Sequence, residues 1–176
     1  MVDARVGIEI NGTVCNMLAS ANRYFGEPRQ PEAYSLVEMY PTVSDDDILW
    51  WQNNKRVYEN ILPVEGAIEG LYYLINAFDV IIITERPPEF LNTTCGWLRS
   101  YGVGDIPVVC TPNKIAEIVR LDLDVFIESN ADCAREMSRS CTTFIVDRPY
   151  NRFGSGEAVR INGLLQLRTM EDIWTT

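Results

Sequence analysis

Histidine is absent from all 176 residues of this chain. Its absence excludes Ser-His-Asp and Cys-His nucleophile pairs, histidine-liganded zinc and an imidazole general base. Chemistry is left to carboxylates, hydroxyls, amides, lysine, arginine and thiols. Basic charge is scarce too: Lys plus Arg number 15 against 25 Asp plus Glu, a formal net charge of −10. An acidic surface argues against binding nucleic acid or anionic membranes, both of which need a cationic footprint. No apolar run approaches the roughly 18 residues of a membrane helix. The N-terminus enters a strand-like pattern almost at once, without the charged-then-apolar pattern of a secretory leader. The five cysteines, Cys15, Cys95, Cys110, Cys133 and Cys141, never form a C-x-x-C pair and read as reduced core thiols. Together these absences lead us to expect a cytoplasmic protein with no nucleic-acid or membrane partner, its oligomeric state left open.

What is present is enough apolar material, 47% of residues, for one ordinary domain. Short β-branched runs recur at Val6 to Ile10, Val80 to Thr84, Pro107 to Cys110, Val125 to Glu128 and Thr143 to Val146. Their nearly continuous hydrophobicity suits strands covered on both faces. Helical spacing fills the stretches between them, at Glu65 to Ala77, Pro88 to Tyr101, Asn113 to Leu121 and Ala131 to Arg139. The alternation predicts an α/β fold, a Rossmann-like three-layer sandwich around a central, mainly parallel sheet. One connection is far too long: roughly fifty residues separate the first strand from the helix near Glu65, where about 2 to 6 are usual. Helical stretches at Asn16 to Phe25 and Asp45 to Asn60 lie within it, the second capped by Ser44 ahead of three aspartates. We therefore expect a single domain over 1–176, its core formed by 1–15 and 62–176 and a small helical cap by approximately 16–61. The tail after Asn151 is weakly patterned and expected to wrap the core.

In an open α/β sheet, ligands bind at the carboxyl ends of the strands. The first strand runs out into Glu9-Ile10-Asn11-Gly12-Thr13, the second into Thr84-Glu85-Arg86-Pro87, and the fourth into Glu128-Ser129-Asn130, while Lys114 opens a helix after Thr111-Pro112-Asn113. Carboxylates, a hydroxyl, a lysine and amides around one crevice are the inventory of a phosphate-and-metal site. Plainer roles exist for each. Glu9 and Asn11 could cap a turn, Lys114 could be solvated, and Glu128 could pair with Arg86 or Lys114. Trp50, Trp51 and Tyr58 could form the core of the cap or stack on a nucleobase, and Asp147 and Arg148 could form a turn and its ion pair.

In order and spacing these segments resemble the haloacid dehalogenase-like superfamily, whose first motif is D-x-D-G-T; Thr84, Lys114 and Ile127-Glu128-Ser129 match its later motifs. Thr84-Glu85-Arg86-Pro87 and Asp147-Arg148-Pro149-Tyr150-Asn151 resemble the 5'(3')-deoxyribonucleotidase-like branch. The resemblance implies that Glu9 stands at the nucleophile position and Asn11 at the acid/base position. It assigns Thr84 and Lys114 to the phosphoryl oxygens. It places a magnesium ion on Glu9, the backbone carbonyl of Asn11, and Glu128 or Ser129. Arg86, Trp50 and Trp51 become substrate or cap contacts, and a nucleotide or another small phosphate-containing molecule becomes the ligand.

The chain departs from that pattern where acid is most needed. With the backbone in place, the extra methylene of Glu9 displaces its carboxylate by more than about 1 Å, and misplacement of about 1 Å can cost roughly 10²-fold. Asn11 cannot transfer a proton, and general acid–base catalysis is worth about 10²–10⁴-fold. Ser129 removes a formal charge from the metal position, so weakened Mg²⁺ affinity is expected. The expected protein is a nucleotidase-related binder of phosphate or nucleotide with weak or no phosphatase activity. The alternatives are an active Mg²⁺-dependent phosphomonoesterase using Glu9, and a structural or interaction module on the same fold.

Overall fold

A computed structural model describes residues 4–170. The outermost parts of the expected core segments, 1–3 and 171–176, lie outside the described residues. Six strands form one sheet in the order β3-β2-β1-β4-β5-β6. They are β1 (Arg5–Ile8), β2 (Asp79–Thr84), β3 (Val108–Cys110), β4 (Val125–Glu128), β5 (Thr142–Val146) and β6 (Val159–Ile161). Every pairing between neighbours is parallel. The strands read as continuously apolar because both faces are covered. Val80 and Ile82 of β2, with Val125 and Ile127 of β4, pack on one face with Leu71, Leu74, Trp97 and Leu98. Ile83 and Phe126, one residue out of phase, pack on the other with Ile118 and Met137. Helices α5 (Ala67–Ala77) and α6 (Leu91–Ser100) thus cover the first face, and α7 (Lys114–Leu121) and α8 (Ala131–Met137) the second. The result is the three-layer α/β arrangement the alternation implies.

Four helices lie between β1 and α5: α1 (Met17–Phe25), α2 (Leu36–Met39), α3 (Asp45–Gln52) and α4 (Lys55–Asn60). They gather around a small core of their own, Ala21, Met39, Tyr40, Ile48 and Trp51. The expected single helix from Asp45 to Asn60 is broken at Asn53-Asn54. Asn53 ends α3, and the Asn54 side chain accepts from the Arg56 N–H to start α4. Asparagine offers the backbone such an alternative to a continuous helix. The tail does more than wrap the core. Beyond Asn151 it adds β6, paired with β5 from Phe144↔Val159 to Val146↔Ile161, and a 3₁₀ helix, Leu164–Thr169, that packs on α5. No described helix is long and apolar enough to cross a membrane.

Because β2 and β3 lie on one side of β1 and β4 to β6 on the other, chain direction across the sheet reverses at β1 and β4. The crevice at the carboxyl ends of these strands is where such a sheet accepts ligands.

Candidate active site

Just past β1 the chain makes an abrupt turn at Gly12, where φ is +77°. A side chain there would be strained by that angle and would collide with the Tyr150 hydroxyl and Ser129 Oγ. The turn brings Glu9 and Asn11 against the ends of β2 and β4. Glu9 is buried, at 3% exposure. Its Oε1 accepts from the N–H groups of Ile10 (3.0 Å) and Asn11 (2.9 Å) and from the Thr84 hydroxyl (2.9 Å). The extra methylene lets the carboxylate fold back onto its own turn. The other oxygen, Oε2, faces the Lys114 ammonium at 3.1 Å.

Lys114 enters from the first turn of α7, which starts where Asn113 accepts from the Ala116 N–H. Its ammonium lies 2.6 Å from Glu128 Oε2 and 3.4 Å from the half-exposed Glu85. Burial opposes the charge on Lys114, but the Glu9 and Glu128 carboxylates overcome that and hold the ammonium above its ordinary pKa. Glu128, at the end of β4, accepts at Oε1 from the N–H groups of Ser129 (2.7 Å) and Asn130 (3.0 Å). Of the two partners open to Glu128 in the sequence, the structure selects Lys114.

Arg86, two residues past β2, is buried at 2% exposure. Its Nε and Nη2 donate to Asn11 Oδ1 at 3.0 and 2.8 Å, Nη1 donates to Thr94 Oγ1, and Nη2 also reaches Cys15 Sγ. The guanidinium lies over the Tyr58 ring, 4.6 Å from its centre. Among the described residues Arg86 makes no ion pair. Ser129 donates its hydroxyl to the Asn11 carbonyl at 2.9 Å.

Glu9, Asn11, Thr84, Arg86, Lys114, Glu128 and Ser129 are therefore brought into one network. Trp50 and Trp51 are not. Trp51 is 1% exposed and packs beside Phe25 within the helical insertion. Trp50 is 55% exposed and lies against Tyr24. Successive helical residues point about 100° apart, and α3 turns neither toward the crevice. Asp147 and Arg148 do not pair through their side chains as expected. Asp147 takes Arg160 (2.8 Å), and Arg148 donates Nε to the Gly12 carbonyl (2.7 Å).

A cleft of about 540 Å³ lies over the network, bordered by Asn11, Arg86, Ser129 and three tyrosines, Tyr34, Tyr58 and Tyr150. Tyr34 meets Tyr150 edge-on at 5.6 Å. The sequence signals Tyr150 through its place just past β5, in the segment Asp147-Arg148-Pro149-Tyr150-Asn151 that carries the resemblance, but assigns it no role at the site. It offers no signal for Tyr34, which lies in an irregular stretch ahead of α2.

The magnesium ion implied by the resemblance does not fit these donors. Mg²⁺ takes about six oxygen ligands at about 2.0–2.1 Å. Here both Oε1 atoms hold backbone N–H groups, both Oε2 atoms face an ammonium, and the Asn11 carbonyl holds a hydroxyl. Among the described residues no group of three or more His, Cys, Asp or Glu side chains converges as a metal cluster would.

Known structures share this architecture. A haloacid dehalogenase-like protein from Agrobacterium tumefaciens is similar over 100% of both chains, with TM-score 0.66 and 11% identity. L-2-haloacid dehalogenase from Xanthobacter autotrophicus matches with TM-score 0.63 and 13% identity over 98% of this chain and 99% of its own. A phosphonoacetaldehyde hydrolase-like protein from Oleispira antarctica matches at 0.63 and 13% over 99% of this chain and 93% of its own. At such identities the likeness concerns the fold alone. No curated protein sequence matches. The model of the family described as 5' nucleotidase, deoxy (pyrimidine), cytosolic type C protein matches residues 4–164. With the fold and the ordered strand-end motifs in agreement, the chain belongs to that nucleotidase family, within the haloacid dehalogenase-like superfamily.

Proposed function

We propose that this nucleotidase-family protein holds a small phosphate-bearing ligand, a pyrimidine deoxynucleotide or a molecule like it, and does not hydrolyse it through a phosphoenzyme. The helical insertion, approximately 16–61, serves as the cap over the ligand. The observation that carries the reading is Arg86: a buried guanidinium at the cleft whose described hydrogen-bond partners, Asn11, Thr94 and Cys15, are all uncharged. A buried charge without a countercharge is costly, and an anion placed against it offsets that cost. A phosphate oxygen is a stronger acceptor than the neutral amide of Asn11 and can take the paired N–H groups in its place. Lys114 and Thr84 are engaged with Glu9 and Glu128, so the grip passes to Arg86. The tyrosines offer flat apolar surface to a base, and the cleft volume lies in the range of small-molecule sites.

Hydrolysis lacks its parts. The Glu9 carboxylate is held by its own backbone N–H groups at Oε1 and faces the Lys114 ammonium at Oε2. Asn11 can orient a leaving oxygen by hydrogen bonding but has no proton to exchange. The five cysteines are free thiols, in keeping with a cytoplasmic location. Calorimetric titration with a pyrimidine deoxynucleoside 5'-monophosphate tests the binding. Binding by the native protein, weakened about 10- to 100-fold in Arg86→Gln, is expected from the loss of charge-assisted hydrogen bonds. Equal affinity in the two proteins, or no binding by either, would refute the reading.

A further inference from the structure

The cleft differs in chemistry from one side to the other. Its charged side chains among the described residues, Glu85 and Arg86, both come from the loop after β2, and the helical insertion contributes none. What the insertion supplies is apolar surface, including Leu18, Leu36 and Leu49, and a few neutral polar groups. An occupant anchored to Arg86 by a phosphate therefore meets a wall suited to an uncharged ring with hydrogen-bonding edges.

Two of those polar groups are already committed. The Tyr58 hydroxyl donates to the Gln52 carbonyl at 2.8 Å, and the Asn53 side-chain nitrogen donates to the Leu49 carbonyl at 2.8 Å. The Gln52 carboxamide borders the cleft, is exposed, and makes no hydrogen bond among the described residues. Its backbone is nonetheless held in place. Gln52 ends α3, and Tyr58 ties its carbonyl to the same ring that carries the Arg86 guanidinium, 4.6 Å from the ring centre. One tyrosine thus links the anion grip to the free amide and sets the spacing between them. A carboxamide presents a donor and an acceptor side by side, as the edge of a pyrimidine base does, so the two can pair through two hydrogen bonds.

We propose that Gln52 is the specificity-determining residue of the cleft, its carboxamide pairing with the donor–acceptor edge of a pyrimidine base whose phosphate Arg86 holds. The assignment rests on the nucleotide-binding reading above and adds to it the group that recognises the base.

The test is calorimetric titration of the native protein and of Gln52→Leu with two compounds: thymidine 5'-monophosphate, and 2-deoxyribose 5-phosphate, which keeps the phosphate and lacks the base. The native protein is expected to bind the nucleotide about 10-fold or more tightly than the sugar phosphate. Gln52→Leu keeps the bulk of the side chain and is expected to lose about 5- to 20-fold for the nucleotide and nothing for the sugar phosphate, as the loss of two neutral hydrogen bonds requires. Nucleotide affinity that is the same in both proteins would overturn the assignment of Gln52 and leave the nucleotide reading in place. An equal loss for both compounds would also overturn it, because Gln52 would then shape the cleft without reading the base. Binding of neither compound by the native protein would overturn the nucleotide reading itself, and the assignment with it.

Discussion

Asn151 shows how much of the site depends on single side chains. Fully buried, it donates to the carbonyls of Ser129 and Val146 at 2.7 Å each, and accepts from the Arg148 N–H at 3.0 Å and Arg160 Nη1 at 2.8 Å. It ties the loop after β4 to the loop after β5, and so fixes Ser129 and Tyr150 over Gly12. Asn151→Ala leaves buried carbonyls and an amide unpaired, each costing about 1–3 kcal/mol, so a loss of about 3 kcal/mol is expected in urea unfolding. A loss below about 1 kcal/mol would mean that water or a neighbour replaces the amide. Residue identity at the site was readable in the sequence because strand ends are where such a sheet does its chemistry. The partners were not. That Arg86 would take Asn11, and that Lys114 rather than Arg86 would take Glu128 and also face Glu9, depends on side-chain direction, which no one-dimensional pattern carries.

At the scale of elements, the site is positioned by short helices with side-chain caps. Asn113 starts α7 and so sets where Lys114 enters the crevice; its Oδ1 accepts from the Ala116 N–H at 3.0 Å. Asn113→Ala should cost about 1 kcal/mol in chemical denaturation, whereas Asn113→Asp, which keeps the acceptor and suits the helix dipole, should cost almost nothing. Equal losses in both variants would show that the cap is not what holds the helix start. The doubly covered strands declare themselves by hydrophobicity alone, and all five expected strands are present. β6 did not, because three residues with Arg160 at the centre carry no apolar run. Its pairing with β5 is a tertiary event. The break between α3 and α4 was foreseeable in principle from Asn53-Asn54, but helical spacing continues across it.

For the whole molecule, the missing histidine removes the side chain that ordinarily titrates between about pH 5 and 8. Burial instead raises a set of alkaline groups. The Cys15 thiol is pushed up to about 11 from 9.0, and Cys110, Cys141, Tyr58 and Tyr150 move in the same direction. Lys114, held by its acids, also rises. Each group binds its proton more tightly folded than unfolded, so its contribution is complete below its unfolded pKa and declines as pH rises through the folded one. For Cys15 the decline runs from pH 9.0 to about 11. The thermal midpoint should therefore fall steadily above about pH 9. A midpoint unchanged up to about pH 10.5 would mean that these groups are not buried in solution.

The same chain carries a net charge of −10, yet on the proposed reading Asn11 and Ser129 stand where the resemblance calls for acid, and Glu9 Oε1 is held by the N–H groups of its own turn. Binding without phosphoenzyme hydrolysis is the central claim, and released phosphate tests it most directly. A pyrimidine deoxynucleoside 5'-monophosphate is incubated over a range of Mg²⁺ concentrations with the native protein and with Glu9→Gln. Phosphate release at the protein-free background is expected from both, at every Mg²⁺ concentration. Robust, Mg²⁺-dependent release by the native protein that disappears in Glu9→Gln would contradict the claim.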